Sequence, residues 1–243
     1  MVQCALNGGY VRTDHPAVPV TVDELVADVL ACRDAGAGSV HFHPRAADGS
    51  QTLSAEVHNL TVAAVRAAVP GLELSCSTQQ DIEVGGHADH AAAIRAWTTP
   101  PDLVSLNLEE PAALELGAVL LERGIGIEAG VFTLADADRL LTAPWASSVH
   151  RVLVEVIYER DPAAAVALAT AIDDRVAPLG KPTLWHGDAG ASWAVVDAGL
   201  ARGRDVRVGL EDALIGRDGG PAPDNATQVA ETLAAARART VPR

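Results

Sequence analysis

The chain has 243 residues, of which 49% are hydrophobic, enough for a large core and too many for a disordered protein. Asp and Glu number 32 against 18 Lys and Arg, and the net charge of −14 argues against general binding to nucleic acid or an anionic membrane. An anion can still be held where a few Arg or a metal ion converge in one pocket. The three cysteines, Cys4, Cys32 and Cys76, are odd in number and scattered, which points to a reducing, cytoplasmic compartment rather than a disulfide framework. The N-terminus has no basic region followed by a long apolar run, so no secretory signal is expected. No apolar stretch approaches the ~18 residues of a membrane span.

In chain order, short apolar runs alternate with longer, Ala-rich amphipathic ones. The first strand is Val2–Leu6, and the first helix spans Val22–Ala35 with Thr21 as N-cap and Gly36 past its end. Strand Ser39–His43 precedes a helix over Ala55–Val69 that Pro70-Gly71 stops. Strand Glu73–Ser77 pairs with helix Ala88–Trp97, Leu103–Asn107 with Ala112–Arg123, and Gly126–Gly130 with Ala135–Leu141. Strand Val149–Val156 leads to helix Pro162–Val176, where Asp161-Pro162 is a helix start. Thr183–His186 precedes Trp193–Leu200, and Val206–Gly209 precedes Asn225–Arg237. Eight strand–helix units of about 30 residues predict a single-domain (β/α)8 TIM barrel over residues 1–243, ahead of a doubly wound sheet. Asn7-Gly8-Gly9 is not the Gly-rich turn that a doubly wound fold would carry after its first strand.

Barrel active sites lie at the C-terminal ends of the strands. Here those ends carry Asn7, His41, His43, Ser77, Thr78, Ser105, Asn107, Glu128, Glu155, His186, Asp188, Arg207, Glu211 and Asp212. A set so rich in His, Arg and carboxylate points to an enzyme. In Val40-His41-Phe42-His43-Pro44-Arg45 the two histidines stand at i and i+2, so they project to one side of the strand, roughly 7 Å apart along it. Such a pair chelates zinc or a similar divalent ion, or forms a hydrogen-bonded pair in a polar core. A metal needs a further ligand, and Glu211 after the eighth strand would lie close to the second strand in a closed barrel. Arg207-Val208-Gly209-Leu210-Glu211-Asp212 sets a guanidinium beside two carboxylates. By itself that is first a structural pair closing the barrel; in an active site, one carboxylate binds metal and the other serves as a base. His87 and His90, three apart on a helix, read as a solvated face. The four tryptophans read as core or interface residues.

These segments occur together in one family. The chain resembles the β-keto acid cleavage enzymes in Ala5-Leu6-Asn7-Gly8, Pro19-Val20-Thr21, Ala35-Gly36-Ala37, His41-Phe42-His43-Pro44-Arg45, Ser77-Thr78, Leu106-Asn107, Arg207–Asp212 and Asn225. The resemblance runs from the first strand to the last helix. It implies a (β/α)8 barrel, commonly homo-oligomeric, with Zn2+ at the mouth. The implied reaction converts a β-keto acid and acetyl-CoA into acetoacetate and a new acyl-CoA. It implies metal ligation by His41, His43 and Glu211, a base in Asp212 positioned by Arg207, and Ser77 and Ser105 beside the reacting groups. Thr78, Asn107, Glu128 and Tyr10 are the expected substrate contacts.

The chain departs from the family in two places and is shorter than typical members. Tyr10 stands where the family often has a glutamate ligand after the first strand, so water or Asp14 would substitute. A substrate-contacting glutamate of some members falls on Gly130, two residues after Glu128. The same residues also admit a CoA-independent aldol-type lyase or hydrolase with Tyr10 as proton donor, or a non-catalytic small-molecule-binding barrel.

Overall fold

The computed structural model describes residues 1–82 and 87–240. Among them the chain alternates β1 (Val2–Ala5), α1 (Val22–Ala35), β2 (Ser39–Phe42), α2 (Ala55–Ala68), β3 (Glu73–Ser77), α3 (His87–Ala96), β4 (Leu103–Asn107) and α4 (Ala113–Glu122). It continues with β5 (Gly126–Val131), α5 (Leu134–Thr142), β6 (Arg151–Val156), α6 (Pro162–Val176), β7 (Thr183–Gly187), α7 (Ser192–Ala201), β8 (Asp205–Val208) and α8 (Asn225–Thr240). The strands are parallel, pair in sequence order, and close β8 onto β1. This is the expected (β/α)8 barrel. None of the described helices is long and apolar enough to cross a membrane.

Local chemistry explains the helix ends. Thr21 and Glu24 form a reciprocal capping box on α1, and Gly36 closes it in the left-handed conformation with φ 105°. Asp161 accepts from the Ala164 N–H at the start of α6, with Pro162 in the first turn. Thr133 and Asp136 make a second capping box, which starts α5 one residue before the expected Ala135. The sixth strand begins at Arg151 rather than Val149, because Ala146–Ser148 forms a 3₁₀ turn just before it.

Strand residues alternate between two environments. Cys4, Val40, Phe42, Cys76, Val104, Ile127, Val152, Val154, Trp185 and Val206 pack into the hydrophobic core between sheet and helices. The alternate positions carry a buried polar network across the lumen. Gln3 Nε2 donates to Glu128 at 2.8 Å, and Arg151 Nε donates to the same carboxylate at 2.7 Å. Ser39 accepts from Gln3, and Glu73 pairs with Arg151. Burial pushes the Glu128 carboxyl up, but Arg151 and His41 outweigh it, and it is held below its ordinary value.

The tryptophans behave as expected of structural residues. Trp97 is buried and stacks on His58 with ring centroids 3.7 Å apart. Trp145 donates to Leu114 O, Trp185 to Asp173, and Trp193 to Ile215 O. His90 is fully buried, contrary to the expectation of a solvated face; the side chain of His87 lies outside the described residues. The three cysteines are free and buried.

Candidate active site at the barrel mouth

The C-terminal ends of the strands surround a cavity of about 280 Å³. His41, His43, Ser77, Ser105, Asn107, Arg207, Glu211 and Asp212 line it, together with Glu155, His186 and Asp188. Eight of the eleven expected site residues therefore converge.

One corner gathers the expected metal ligands. One ligand atom from each of His41, His43 and Glu211 lies within 4.8 Å of the other two. Glu211 Oε1 is 3.6 Å from His41 Nε2 and 3.5 Å from His43 Nε2. Two glycines make this possible. Gly209 has φ 149°, and a β-carbon there would stand 2.0 Å from Ala5 O; without one, the chain after β8 presses against β1. The Glu211 N–H then donates to Ala5 O at 3.2 Å. Gly8, with φ 45°, leaves the space that the Glu211 side chain fills. Asn225 ties the assembly down: it accepts from Leu210 N–H at 2.7 Å and donates to Leu6 O and Asp28.

The histidines are oriented for ligation. The Ser75 hydroxyl gives its one proton to Glu128, so its oxygen accepts from His41 Nδ1–H at 3.0 Å. That leaves the His41 Nε2 lone pair facing Glu211. His43 Nδ1 is likewise engaged by the Gln51 side-chain oxygen. Burial lowers the His41 pKa to about 4, so the ring is neutral, the form that binds a metal. Asn7 fixes the His43 backbone, accepting from its N–H at 2.9 Å and donating to its C=O at 3.1 Å. Glu211 Oε2 is buried without a hydrogen-bond partner. Two imidazoles with engaged outer nitrogens and a carboxylate with an unmatched oxygen fit a divalent cation.

Beside this corner, Arg207 grips both carboxylates. Its terminal nitrogen donates to Glu211 at 2.8 Å and to Asp212 at 2.7 Å, and its Nε reaches Asp212 at 3.1 Å. Burial raises the Asp212 carboxyl, yet Arg207 and His186 together hold it below its ordinary value. His186 Nδ1 is 3.4 Å from Asp212 and its Nε2 is 3.2 Å from Glu155. Burial and Arg207 press the His186 pKa down, but the two carboxylates prevail and raise it to about 9.

Three expected substrate contacts lie elsewhere. Glu128 sits below the cavity in the lumen network: residues two apart on β5 face the same way, and it is Gly130, one step further along, that lies against the lining residues Glu155 and Asn107. Its carboxylate orients His41 through Ser75 instead. Tyr10 packs in a small apolar cluster with Val18, Leu210 and Ala222 and does not line the cavity. Asp14 accepts from Val11 N–H within its own turn, so neither residue joins the metal-ligand group. The Thr78 hydroxyl is buried and donates to Ser105 O at 2.9 Å, behind the lining.

His186 and Glu155 were legible as strand-end polar residues but received no role from the sequence. Ser75 lies mid-strand, two residues before Ser77, and was not among the strand-end residues. Gln51 and Glu110 carried no sequence signal. Glu110 accepts from Asn107 Nδ2 at 3.1 Å and so positions a lining residue, with burial raising its pKa to about 7.

The model of the beta-keto acid cleavage enzyme family matches residues 1–242. The chain belongs to that family. A 3-keto-5-aminohexanoate cleavage enzyme of Acetoanaerobium sticklandii is 37% identical over 79 residues, 32% of this chain and 29% of the relative. A 3-oxoadipate:acetyl-CoA acetyltransferase of Cupriavidus necator is 30% identical over 107 residues, 44% of this chain and 36% of the relative. These matches therefore span well under two thirds of either relative. Among solved structures, ObcA bound to oxaloacetate superposes with a TM-score of 0.71 over 92% of this chain and 64% of that one, at 19% identity, a likeness of fold.

Proposed function

We propose that this beta-keto acid cleavage enzyme exchanges acyl groups between a small β-keto acid and acetyl-CoA, yielding acetoacetate and a new acyl-CoA. The observation that carries the reading is the convergence of His41, His43 and Glu211 beside the Arg207–Asp212 pair at the barrel mouth. His41, His43 and Glu211 would hold a zinc ion. Bound there, zinc supplies Lewis-acid polarisation of the keto oxygen and so acidifies the α-carbon.

The residues of the chain divide the remaining work. Asp212, kept ionised by Arg207, takes a proton from the α-carbon. A carboxylate held below its ordinary value is a weak base, so the acidity of the substrate must provide the driving force. The α-carbon then bonds to the acetyl carbonyl and CoA thiolate leaves. Thiolate attack on the original keto carbonyl breaks its bond to the α-carbon, which takes back a proton. Asp212 ends in the state in which it began, and atoms balance across the exchange. The hydroxyls of Ser77 and Ser105 and the amide of Asn107 face the cavity and supply donors to the developing oxyanions. A cavity of about 280 Å³ suits a small keto acid, with the bulk of CoA outside it.

The test is turnover. Full-length protein with added zinc, acetyl-CoA and a panel of β-keto acids is analysed by mass spectrometry for acetoacetate and new CoA thioesters. Products from at least one acid support the reading; cleavage that proceeds equally well without acetyl-CoA refutes the acyl exchange.

A further inference from the structure

His186, near the end of β7, lines the cavity and is 1% exposed, yet it has no part in the acyl exchange. It stands between two carboxylates: Nε2 is 3.2 Å from Glu155 Oε2, and Nδ1 is 3.4 Å from Asp212 Oδ1. Both contacts are ion pairs, since neither is aligned as a hydrogen bond. Burial and Arg207 oppose a charge on the ring, but the two carboxylates prevail and keep it protonated at neutral pH. A protonated ring carries an N–H on each nitrogen, so it faces both carboxylates at once.

The chain around His186 is built to hold both contacts. At Gly130, on the strand beside β6, a β-carbon would stand 2.4 Å from Glu155 Oε1, so the glycine leaves the room in which that carboxylate sits. Just past β7, the Ala189 N–H donates to the main-chain oxygen of Asp212 at 2.9 Å. Ala189 makes this bond with φ 49°, and among the described residues it is the one non-glycine with positive φ. A left-handed alanine persists where its surroundings impose it, and such residues cluster at functional sites. The end of β7 therefore meets Asp212 twice, once at the side chain and once at the backbone.

Arg207 alone does not decide how the Asp212 carboxylate is used, because its Nη2 is shared with Glu211 Oε1 at 2.8 Å. With His186 in place, Oδ1 of Asp212 faces three donors: Arg207 Nη2 at 2.7 Å, Arg207 Nε at 3.3 Å and His186 Nδ1 at 3.4 Å. Among the described residues Oδ2 faces one, Arg207 Nε at 3.1 Å. Each carboxylate oxygen offers about two lone-pair sites, so Oδ1 is filled and Oδ2 keeps one open. We infer that His186 is a positioning residue for the base: by loading Oδ1, it makes Oδ2 the oxygen of Asp212 that takes the α-proton. In that step the bond from the α-carbon to hydrogen breaks, its electron pair passes into the enolate, and the proton forms an O–H bond at Oδ2. His186 keeps its own protons throughout. The inference rests on the reading of this cavity as a β-keto acid site.

The test follows the proton alone. Full-length, zinc-supplemented protein is given a panel of β-keto acids in D2O with no CoA thioester present. Proton NMR then measures loss of the α-proton signal above the uncatalysed rate, which yields kcat and KM for enolisation. Two amide replacements separate the ring nitrogens: asparagine sets an N–H near the place of Nδ1, and glutamine sets one near the place of Nε2. His186→Gln lowers kcat by roughly 10²-fold, as for a misplaced reacting group, with KM within about twofold of the parent. His186→Asn, which keeps a neutral donor towards Asp212, loses about tenfold or less. Glu155→Ala removes the second anchor of the ring, lowers kcat in the same way and serves if His186→Gln does not fold. Exchange in His186→Gln as fast as in the parent, equal losses in the two amide variants, or a loss that follows KM, zinc content or melting temperature overturns the role of His186 and leaves the proposed reaction standing. A parent protein that accelerates exchange of none of the acids overturns the β-keto acid reading, and the inference with it.

Discussion

The β-carbon that Gly8 lacks would stand 2.4 Å from Cγ of Glu211. A glycine in the loop after β1 thus makes the space in which a carboxylate from the loop after β8 reaches the two histidines of β2 and its end. Gly8→Ala should therefore act on metal affinity more than on the fold. We expect zinc affinity to drop by roughly 10–100-fold, as when a supporting contact to a ligand is lost, with the circular dichroism spectrum retained. Competition with a chromogenic chelator measures it, and unchanged affinity would show that the space at Gly8 does not govern how Glu211 meets the metal.

The Glu128–Ser75–His41 chain carries a parallel prediction. Ser75→Ala removes the acceptor for His41 Nδ1–H and frees the ring to change tautomer or rotate. Zinc affinity should fall by roughly 10–100-fold. NMR of labelled histidine nitrogens should show the Nδ1–H tautomer of His41 in the parent protein, and the variant should lose that preference.

Asp212→Asn separates chemistry from assembly. The side chain does not belong to the metal-ligand group, so metal content should match the parent. Turnover should fall by ~10²-fold or more, the usual cost of losing a general base. A variant that keeps most of its activity would transfer the base to another residue.

Stability should fall in acid, in part through His58. Burial lowers its pKa from the ordinary 6.5 to about 3, against the ring of Trp97. Between those values the unfolded chain binds a proton that the folded chain does not, so stability drops as pH falls from about 6.5 towards 3. Urea midpoints measured across this range should decline less steeply in His58→Phe, which keeps an aromatic partner for Trp97 and removes the titrating group.

The lumen network makes a stability prediction of its own. Arg151→Met leaves Glu128 buried without its cation, and breaking such a pair typically costs ~3–5 kcal/mol. Thermal melting of Arg151→Met beside the double variant Arg151→Met, Glu128→Gln should show part of the loss recovered in the double.

The barrel was legible in the sequence because strand and helix periodicities alternate through eight units and caps such as Thr21 and Asp161 mark helix starts. The HxH spacing and the closure of β8 onto β1 likewise made His41, His43 and Glu211 legible as one group. Depth along a strand was not. Glu128 and Gly130 face the same way, but only register tells which reaches the mouth, and Arg151 claims the lower one. The fit of Glu155 beside Gly130 joins two strands and leaves no local pattern in either. Tyr10 follows β1 near the family's ligand position, but an apolar side cluster takes its ring.

The proposed reaction requires that His41, His43 and Glu211 hold a catalytic metal. Elemental analysis of protein purified without chelators or a histidine tag tests it most directly. About one zinc per chain is expected, lost in His41→Ala. Protein that carries no metal, even after zinc is added back, and is nonetheless active would contradict it.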